Sequence, residues 1–337
     1  MEFAPPVIDL DDEESVTVSA IRRACELHGF FVVKNHAVGL ELVENARAAA
    51  RRFFALPVEE KMKLRLDPKA TFLQGYAPLG AEASDVANLS LTGNDKKNVI
   101  PKDLMESFQV ADPGLVTGRY PGHDDGAMRD ALERIFAATR DQGLAILCLV
   151  GKAIGAPDGF FKDAHQGSPG KQKSRTVMRV TRYPSLSTFG LAHDDADPVL
   201  RIGPHRDLGS ITLLFQSTLG GLQVQLEDGT WVNVPPVRDS IVVNLGNLMR
   251  RYCNKIFKSS IHRVISNEHS DANDRYSVIL FMNPDDRATV APIPQCVSET
   301  NPPQYEDINA GAYMDCKITQ LFDENAKEFK GKCRYDD

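Results

Sequence analysis

Apolar positions along the chain follow two rhythms, helical in the first half and strand-like in the second. Ile21, Ala24, Cys25 and His28 recur at i, i+3, i+4 and i+7, which predicts an amphipathic helix ended by Gly29. Phe30, Phe31, Val32 and Val33 follow as a buried strand. A second helix is predicted from about Leu40 to Phe54, closed by Pro57. A third starts near Ala127 and runs past Leu149, with Leu132, Ile135, Phe136 and Thr139 on its buried face. Gly155 and Pro157 stop it. Residues 68–102 carry scattered Gly, Asn, Asp and Ser with little periodicity, which predicts a long loop of the kind that covers sites. From Val177 to about Val290, short β-type runs alternate with turn residues, at 178–183, 210–215, 222–226, 231–234, 241–244 and 277–281. Asp228-Gly229 between two of them is a hairpin signal. Many short strands at this spacing predict a sandwich or barrel rather than a parallel sheet. The tail after Pro302 reads as helical and polar.

Composition narrows the class. The 337 residues are 42% hydrophobic and 25% charged, an ordinary globular mix that excludes a disordered or fibrous chain. Against 39 basic residues stand 46 acidic ones, a net charge of −7, which argues against a nucleic-acid binder. The longest uncharged apolar run, residues 143–151, is far short of the roughly 20 needed to cross a bilayer. The N-terminus has neither a basic nor an apolar leader region, so a cytoplasmic protein without membrane attachment is expected. Cys25, Cys148, Cys253, Cys296, Cys316 and Cys333 are far apart with no C-x-x-C pair, and reduced thiols are expected of all of them.

The candidate chemistry centres on His205-Arg206-Asp207. On a strand, positions i and i+2 share a face, so an imidazole and a carboxylate would meet one metal ion. A lone H-x-D is common by chance; His262, in the sequence Lys258-Ser259-Ser260-Ile261-His262-Arg263-Val264, adds a second imidazole. Two histidines and a carboxylate form the facial triad of non-haem Fe(II) oxygenases, with other positions open. The competing reading makes His262 a hydrogen-bonded core residue.

The surrounding residues decide between the two. Residues 205–216 (HRDLGSITLLFQ), Gly220-Gly221-Leu222-Gln223-Val224, Trp231-Val232-Asn233-Val234-Pro235, Val243-Asn244-Leu245-Gly246-Asn247, His262-Arg263-Val264 and Arg275-Tyr276-Ser277 stand in one order. That series resembles the iron- and 2-oxoglutarate-dependent oxygenases of the isopenicillin N synthase-like superfamily. Val7-Ile8-Asp9-Leu10, His28-Gly29-Phe30-Phe31, Asn35-His36, residues 53–57 (FFALP), Glu60-Lys61 and Gly75-Tyr76 look like the same family's N-terminal region. The resemblance covers residues 5 to about 320, and within it residues 209–216, 275–277 and 305–311 look most like the microbial and fungal, thymine 7-hydroxylase-like members.

The resemblance implies a mainly β fold with α elements, a double-stranded β-helix (jelly-roll) core framed by N-terminal and C-terminal helices. It implies a helical cap over 1–170, a core over 171–295 and a helical tail over 296–337. His205, Asp207 and His262 would hold Fe(II). 2-Oxoglutarate would meet Arg275 and Ser277 through its distal carboxylate, with Tyr183 as a further donor. Arg275 and Ser277 are i and i+2, and the guanidinium fork matches a carboxylate. The implied reaction consumes O2, releases succinate and CO2, and hydroxylates, desaturates or rearranges a ring of a small metabolite or natural product. Two positions depart from the family pattern. Thr181 stands where many relatives carry Asn, and Arg206 where they often carry Thr.

Strand parity puts Arg179 with Tyr183 and Phe281 with Ser277, so both are candidate substrate contacts, joined by Tyr76 from the cap. Arg179, with Arg182 and Arg201 near it in sequence, points to a small polar or anionic substrate. His193, in an acidic stretch, is a weaker metal candidate. His28 and His36 are expected to be structural, His123, His165 and His269 exposed, Trp231 a strand-edge packing residue, and Lys96-Lys97 solvated. Two rival classes remain from sequence. One is an oxygenase of this fold that does not use 2-oxoglutarate, since isopenicillin N synthase also carries an Arg-x-Ser. The other is a zinc-binding jelly-roll protein.

Overall fold

The computed structural model describes residues 5–82, 103–122, 125–165, 175–322 and 335. His123 and Lys96-Lys97 lie outside them, as does Cys333. The first half supplies β1 (Val7–Asp9), α1 (Glu14–Leu27), β2 (Phe30–Lys34), α2 (Leu40–Phe54), α3 (Val58–Met62), β3 (Gly75–Ala77), β4 (Glu106–Ala111), α4 (Ala127–Ile154) and α5 (Phe160–His165). The second half supplies β5 (Val177–Tyr183), β6 (Leu200–His205), β7 (Ile211–Phe215), β8 (Leu222–Gln225), β9 (Trp231–Asn233), β10 (Ile241–Leu245), α6 (Asn247–Tyr252), β11 (His262–Ile265) and β12 (Arg275–Met282). A short β13 (Thr289–Val290) and β14 (Ile308–Asn309) precede α7 (Ala310–Phe322).

Two sheets face each other as a jelly-roll. The major sheet has the order β1-β2-β10-β7-β12-β5-β4-β3, and the minor sheet β6-β11-β8-β9. Apart from the parallel β1–β2 edge, neighbouring strands in both sheets are antiparallel. Alternation along each central strand decides what lies on which side. Val278, Leu280 and Met282 of β12, with Met178 and Val180 of β5, are buried in the large core against the helices. Tyr183, Leu214, Val242 and Ile279 turn to the other face and pack with Ile202, Leu222, Val224 and Val264 of the minor sheet.

Helix α4 presents Leu132, Ile135, Phe136, Ile146, Leu147 and Val150 to that large core, and left-handed glycines, Gly126 and Gly155, bound it. Helix α2 buries Ala46, Ala49 and Ala50, small side chains that let it lie close to its neighbours, before Phe53 and Phe54. No helix of the described residues is long and apolar enough to cross a membrane.

The structure corrects several sequence readings. The stretch read as a long loop contains β3, three residues too few to carry a period, recruited by pairing with β4. β4 itself alternates Ser107 and Gln109 with Phe108 and Val110, a period-two signal passed over. β6 contains Gly203 and Pro204, which read as turn residues. It ends at His205, so Asp207 lies beyond the strand and strand parity is not what aligns the two. Cys25, Cys148, Cys253 and Cys296 are free thiols, whereas Cys316 is disulfide-bonded, against the expectation of reduced thiols throughout.

Candidate active site

Backbone pairing brings the two histidines together. β6 and β11 are neighbours, and His205 is the register partner of His262, their rings 4.2 Å apart between centroids. Asp207 is carried by the turn that leaves β6, and this turn is tied to the start of α6. The backbone N–H of Asn247 donates to the carbonyl of Asp207 at 2.8 Å, and that of Gly246 to the carbonyl of Ser210 at 3.0 Å. The approach needs glycine on both sides. A Cβ on Gly246 would sit 2.2 Å from the Gly209 carbonyl oxygen, and one on Gly209 2.1 Å from Oδ1 of Asn283.

One ligand atom each from His205, Asp207 and His262 lies within 4.8 Å of the others, and each histidine Nε2 is 3.7 Å from Asp207 Oδ1. Nδ1 of His205 faces the Gly203 carbonyl at 2.8 Å, and Nδ1 of His262 the Ser260 carbonyl at 3.2 Å. A proton on each Nδ1 makes those bonds and leaves both Nε2 lone pairs aimed at the shared centre. Burial, with His262 alongside, pushes the His205 pKa down to about 4, so its imidazole is neutral at pH 7, as a metal ligand must be. Burial would raise the Asp207 pKa, but His262, His205, Asn244 and Thr212 outweigh it and hold the carboxyl below its usual range. Asn244 Nδ2 donates to Asp207 Oδ2 at 2.6 Å and the Thr212 hydroxyl donates to the same oxygen. Oδ1 is thus left for a metal. Two imidazole nitrogens and a carboxylate oxygen converging in this way fit a divalent ion.

A chamber of about 450 Å³, counted with its solvent-open space, joins this cluster to Arg275, Ser277 and Tyr183. The β5–β12 register sets Arg275 opposite Tyr183 and Ser277 opposite Thr181. Arg275 donates through Nε to the Gly220 carbonyl at 2.8 Å, and its guanidinium stacks 4.7 Å above the Tyr183 ring. Its Nη1, the Ser277 hydroxyl and the Thr181 hydroxyl are buried without partners among the described residues. Buried donors normally find acceptors. Three orphans on one sheet face, one of them cationic, fit a carboxylate.

A larger cavity of about 910 Å³, counted with its solvent-open mouth, lies on the other side of His205 and Asp207. Arg179 and Phe281 line it. Tyr76 does not: it is 2% exposed and its hydroxyl donates to Glu106 Oε2 at 2.6 Å. It belongs to a buried ionic cluster in which Lys61 Nζ meets the same oxygen at 2.7 Å. Arg182 turns to the opposite sheet face and pairs with Asp274 at 2.7 Å and Glu106 at 2.8 Å. Arg201 is 2% exposed and donates to the Pro184 carbonyl. Neither arginine faces the cavity.

His193 is spent on Ser266 and Asp195, away from the cluster. His165, expected to be exposed, is 1% exposed and bridges the Phe161 carbonyl and the Ser210 hydroxyl. His269 is exposed, and His28 and His36 are half-buried. Trp231 stacks under Arg263, 4.1 Å from its centroid. Arg206 donates to the Ser259 carbonyl at 2.6 Å.

Sequence reasoning missed Asn244 and Thr212, and on the cavity wall Glu82, Gln109, Arg175 and the α7 residues Met314, Ile318 and Leu321. Parity alone holds a signal for the first two, because Thr212 is the register partner of both Asn244 and Phe281.

Comparison with known proteins agrees with this arrangement. Residues 174–284 match the 2OG-Fe(II) oxygenase superfamily, and residues 5–113 match the N-terminal region of non-haem dioxygenases in morphine synthesis. A 2-oxoglutarate-Fe(II) type oxidoreductase, hxnY, of Emericella nidulans is 30% identical, the match covering 92% of this chain and 89% of that one. Feruloyl CoA ortho-hydroxylase 1 of Arabidopsis thaliana is also 30% identical, over 92% of this chain and 78% of its own. The thymine 7-hydroxylase of Neurospora crassa, crystallised with alpha-KG, superposes with a TM-score of 0.77 at 26% identity, covering 94% of this chain and 95% of the other. JOX2 in complex with 2OG, Fe and JA superposes with a TM-score of 0.74 at 26% identity, over 94% and 85%. The chain belongs to the 2OG-Fe(II) oxygenase superfamily and is a 2-oxoglutarate-dependent non-haem iron dioxygenase.

Proposed function

We propose that His205, Asp207 and His262 hold Fe(II), and that Arg275 and Ser277, with Tyr183 beneath the guanidinium, hold the distal carboxylate of 2-oxoglutarate. The orphaned donors carry this reading. Arg275 Nη1 and the Ser277 hydroxyl are buried on residues that line the chamber containing the triad, and the orphaned Thr181 hydroxyl belongs to the register partner of Ser277. Thr181 takes part by donating its single hydrogen bond where many relatives carry an amide. Iron bound there, with O2 and 2-oxoglutarate, supplies the oxidising chemistry that ends in succinate, CO2 and an oxidised small molecule.

The chain itself does four things. Thr212 and Asn244 aim Asp207. The Gly203 and Ser260 carbonyls fix the histidine tautomers. Leu214, Ile202 and Val264 keep the cosubstrate chamber poor in water. Arg179 and Phe281 line the adjoining cavity, where the small-molecule substrate is oxidised. The net charge of −7 favours a small soluble partner over nucleic acid, and four free thiols against one disulfide-bonded cysteine among the described residues favour the cytoplasm.

The test is binding of 2-oxoglutarate by calorimetry under anaerobic conditions, with stimulated succinate release as the activity readout. Arg275→Leu leaves a buried carboxylate unpaired, a loss on the order of 3 kcal/mol, or about a hundredfold in affinity. Asp207→Ala should abolish turnover while the chain stays folded. Iron-dependent oxidation without any affinity for 2-oxoglutarate would instead favour an isopenicillin N synthase-like reaction.

A further inference from the structure

Two of the three arginines on the described wall of the larger cavity are paired with carboxylates. Glu82 is 3% exposed, and its Oε2 meets Arg179 Nη1 at 2.8 Å. Its other oxygen accepts a hydrogen bond from the Ser107 hydroxyl at 3.2 Å. The Arg179 guanidinium lies 4.9 Å from the centroid of Phe281, so the cation is held between a carboxylate and a ring face. Across the cavity Arg175 is held by Asp286 at 2.5 Å and Asp315 at 2.7 Å. Arg206 spends Nε on the Ser259 carbonyl. On the described wall Arg175 and Arg179 are thus paired with carboxylates and Arg206 with a carbonyl, while Arg179 Nε is buried without a partner among the described residues. Much of the remaining surface is apolar, notably Phe72, Leu73, Val177, Leu208, Ile318 and Leu321.

We propose that the substrate is an electrically neutral, mainly apolar small molecule, and that Glu82 determines this by neutralising Arg179. The inference rests on the reading that this cavity holds the substrate. A carboxylate or phosphate entering here would lose its hydration and meet Arg175 and Arg179 already paired with carboxylates. Drawing Arg179 away from Glu82 would leave a buried carboxylate uncompensated, which opposes the exchange. The sequence points to a small polar or anionic substrate from Arg179, Arg182 and Arg201; the partners of these arginines favour a neutral one instead. A coenzyme A thioester, of the sort named for the Arabidopsis relative, is disfavoured for the same reason.

The test uses two probes of one shape and different charge on the zinc-loaded full chain with 2-oxoglutarate. N-phenyl-1-naphthylamine is neutral, and 1-anilinonaphthalene-8-sulfonate carries the same rings with a sulfonate. The neutral probe should bind at least about tenfold more tightly. Glu82→Gln keeps the shape of the side chain and frees the Arg179 charge. It should tighten the sulfonate by about tenfold and leave the neutral probe within about twofold, and Arg179→Met added to it should cancel the gain. Ile318→Trp, filling the cavity from α7, should remove both probes. Equal or tighter binding of the sulfonate by the wild type, no response to Glu82→Gln, or no binding of either probe would each overturn the proposal. So would a screen in which carboxylates or coenzyme A thioesters stimulate succinate release best. Calorimetry of 2-oxoglutarate on the same samples keeps the two readings separate, since its loss would sink the cosubstrate assignment alone.

Discussion

Replacing Asn244 with leucine tests how the Asp207 carboxylate is aimed. Asp207 is 7% exposed and Asn244 3%. Oδ2 accepts from Asn244 Nδ2 at 2.6 Å and from the Thr212 hydroxyl, while Oδ1 faces both histidine Nε2 atoms at 3.7 Å. A hydrogen bond to a charged group contributes about 1.5–3 kcal/mol. Part of that is present with or without metal, so it appears as stability. The rest appears as metal affinity, because a carboxylate held by one donor can rotate. Partners of metal ligands are worth about 10–100-fold in affinity. Asn244→Leu should therefore weaken metal binding by about tenfold, and the double variant with Thr212→Val by more. Co(II) titration followed by absorbance measures this without turnover, and circular dichroism checks the fold. Asn233→Leu, on the minor-sheet edge, serves as the control. Co(II) affinity unchanged in the double variant would refute the clamp.

Three further outcomes are expected. Burial pushes the His165 pKa down to about 4, so the unfolded chain takes up a proton below about pH 6.5 that the folded chain refuses. Stability tied to His165 is complete above about pH 6.5 and is lost as pH falls towards about 4, on the order of 3 kcal/mol; His165→Gln should flatten that slope in urea denaturation, and an unchanged slope would contradict it. Lys61→Met removes a cation that is 4% exposed and bonded to Glu106, which retains Arg182, so a loss of about 3 kcal/mol is expected, and a loss under about 1 kcal/mol would show the pair to be dispensable. Gly246→Ala drives a methyl group into the Gly209 carbonyl and should displace the turn carrying Asp207, lowering Co(II) affinity together with stability; full affinity would mean the turn can yield.

The legibility of the site in the sequence depended on distance along the chain. His205 with Asp207, and Arg275 with Ser277, are each two residues apart, so a local pattern exposes them. The long helices were equally plain, since α2 and α4 carry several turns of one periodicity between clear stops. β6 was hidden by Gly203 and Pro204, although the strand needs both residues only as backbone. The charge of the cavity was not readable at all. Arg179 and Glu82 are 97 positions apart, and Arg175 and Asp315 are 140 apart. A local reading sees the arginines and not what neutralises them.

The placement of α7 has a consequence for the order in which the enzyme comes into being. Met314, Ile318 and Leu321 line the substrate cavity, yet no residue of this helix lines the cosubstrate chamber. Every residue of that chamber has been synthesised by Phe281, whereas the cavity wall waits for the helix that follows Asn309. The two compartments share Arg179, His205, Asp207 and Phe281, and what α7 adds is part of the cavity wall alone. Shortening the chain from its C-terminal side would take Met314, Ile318 and Leu321 from the cavity wall and no residue from the cosubstrate chamber. Exchanging the helix for another would change what is oxidised while leaving the oxidising centre in place.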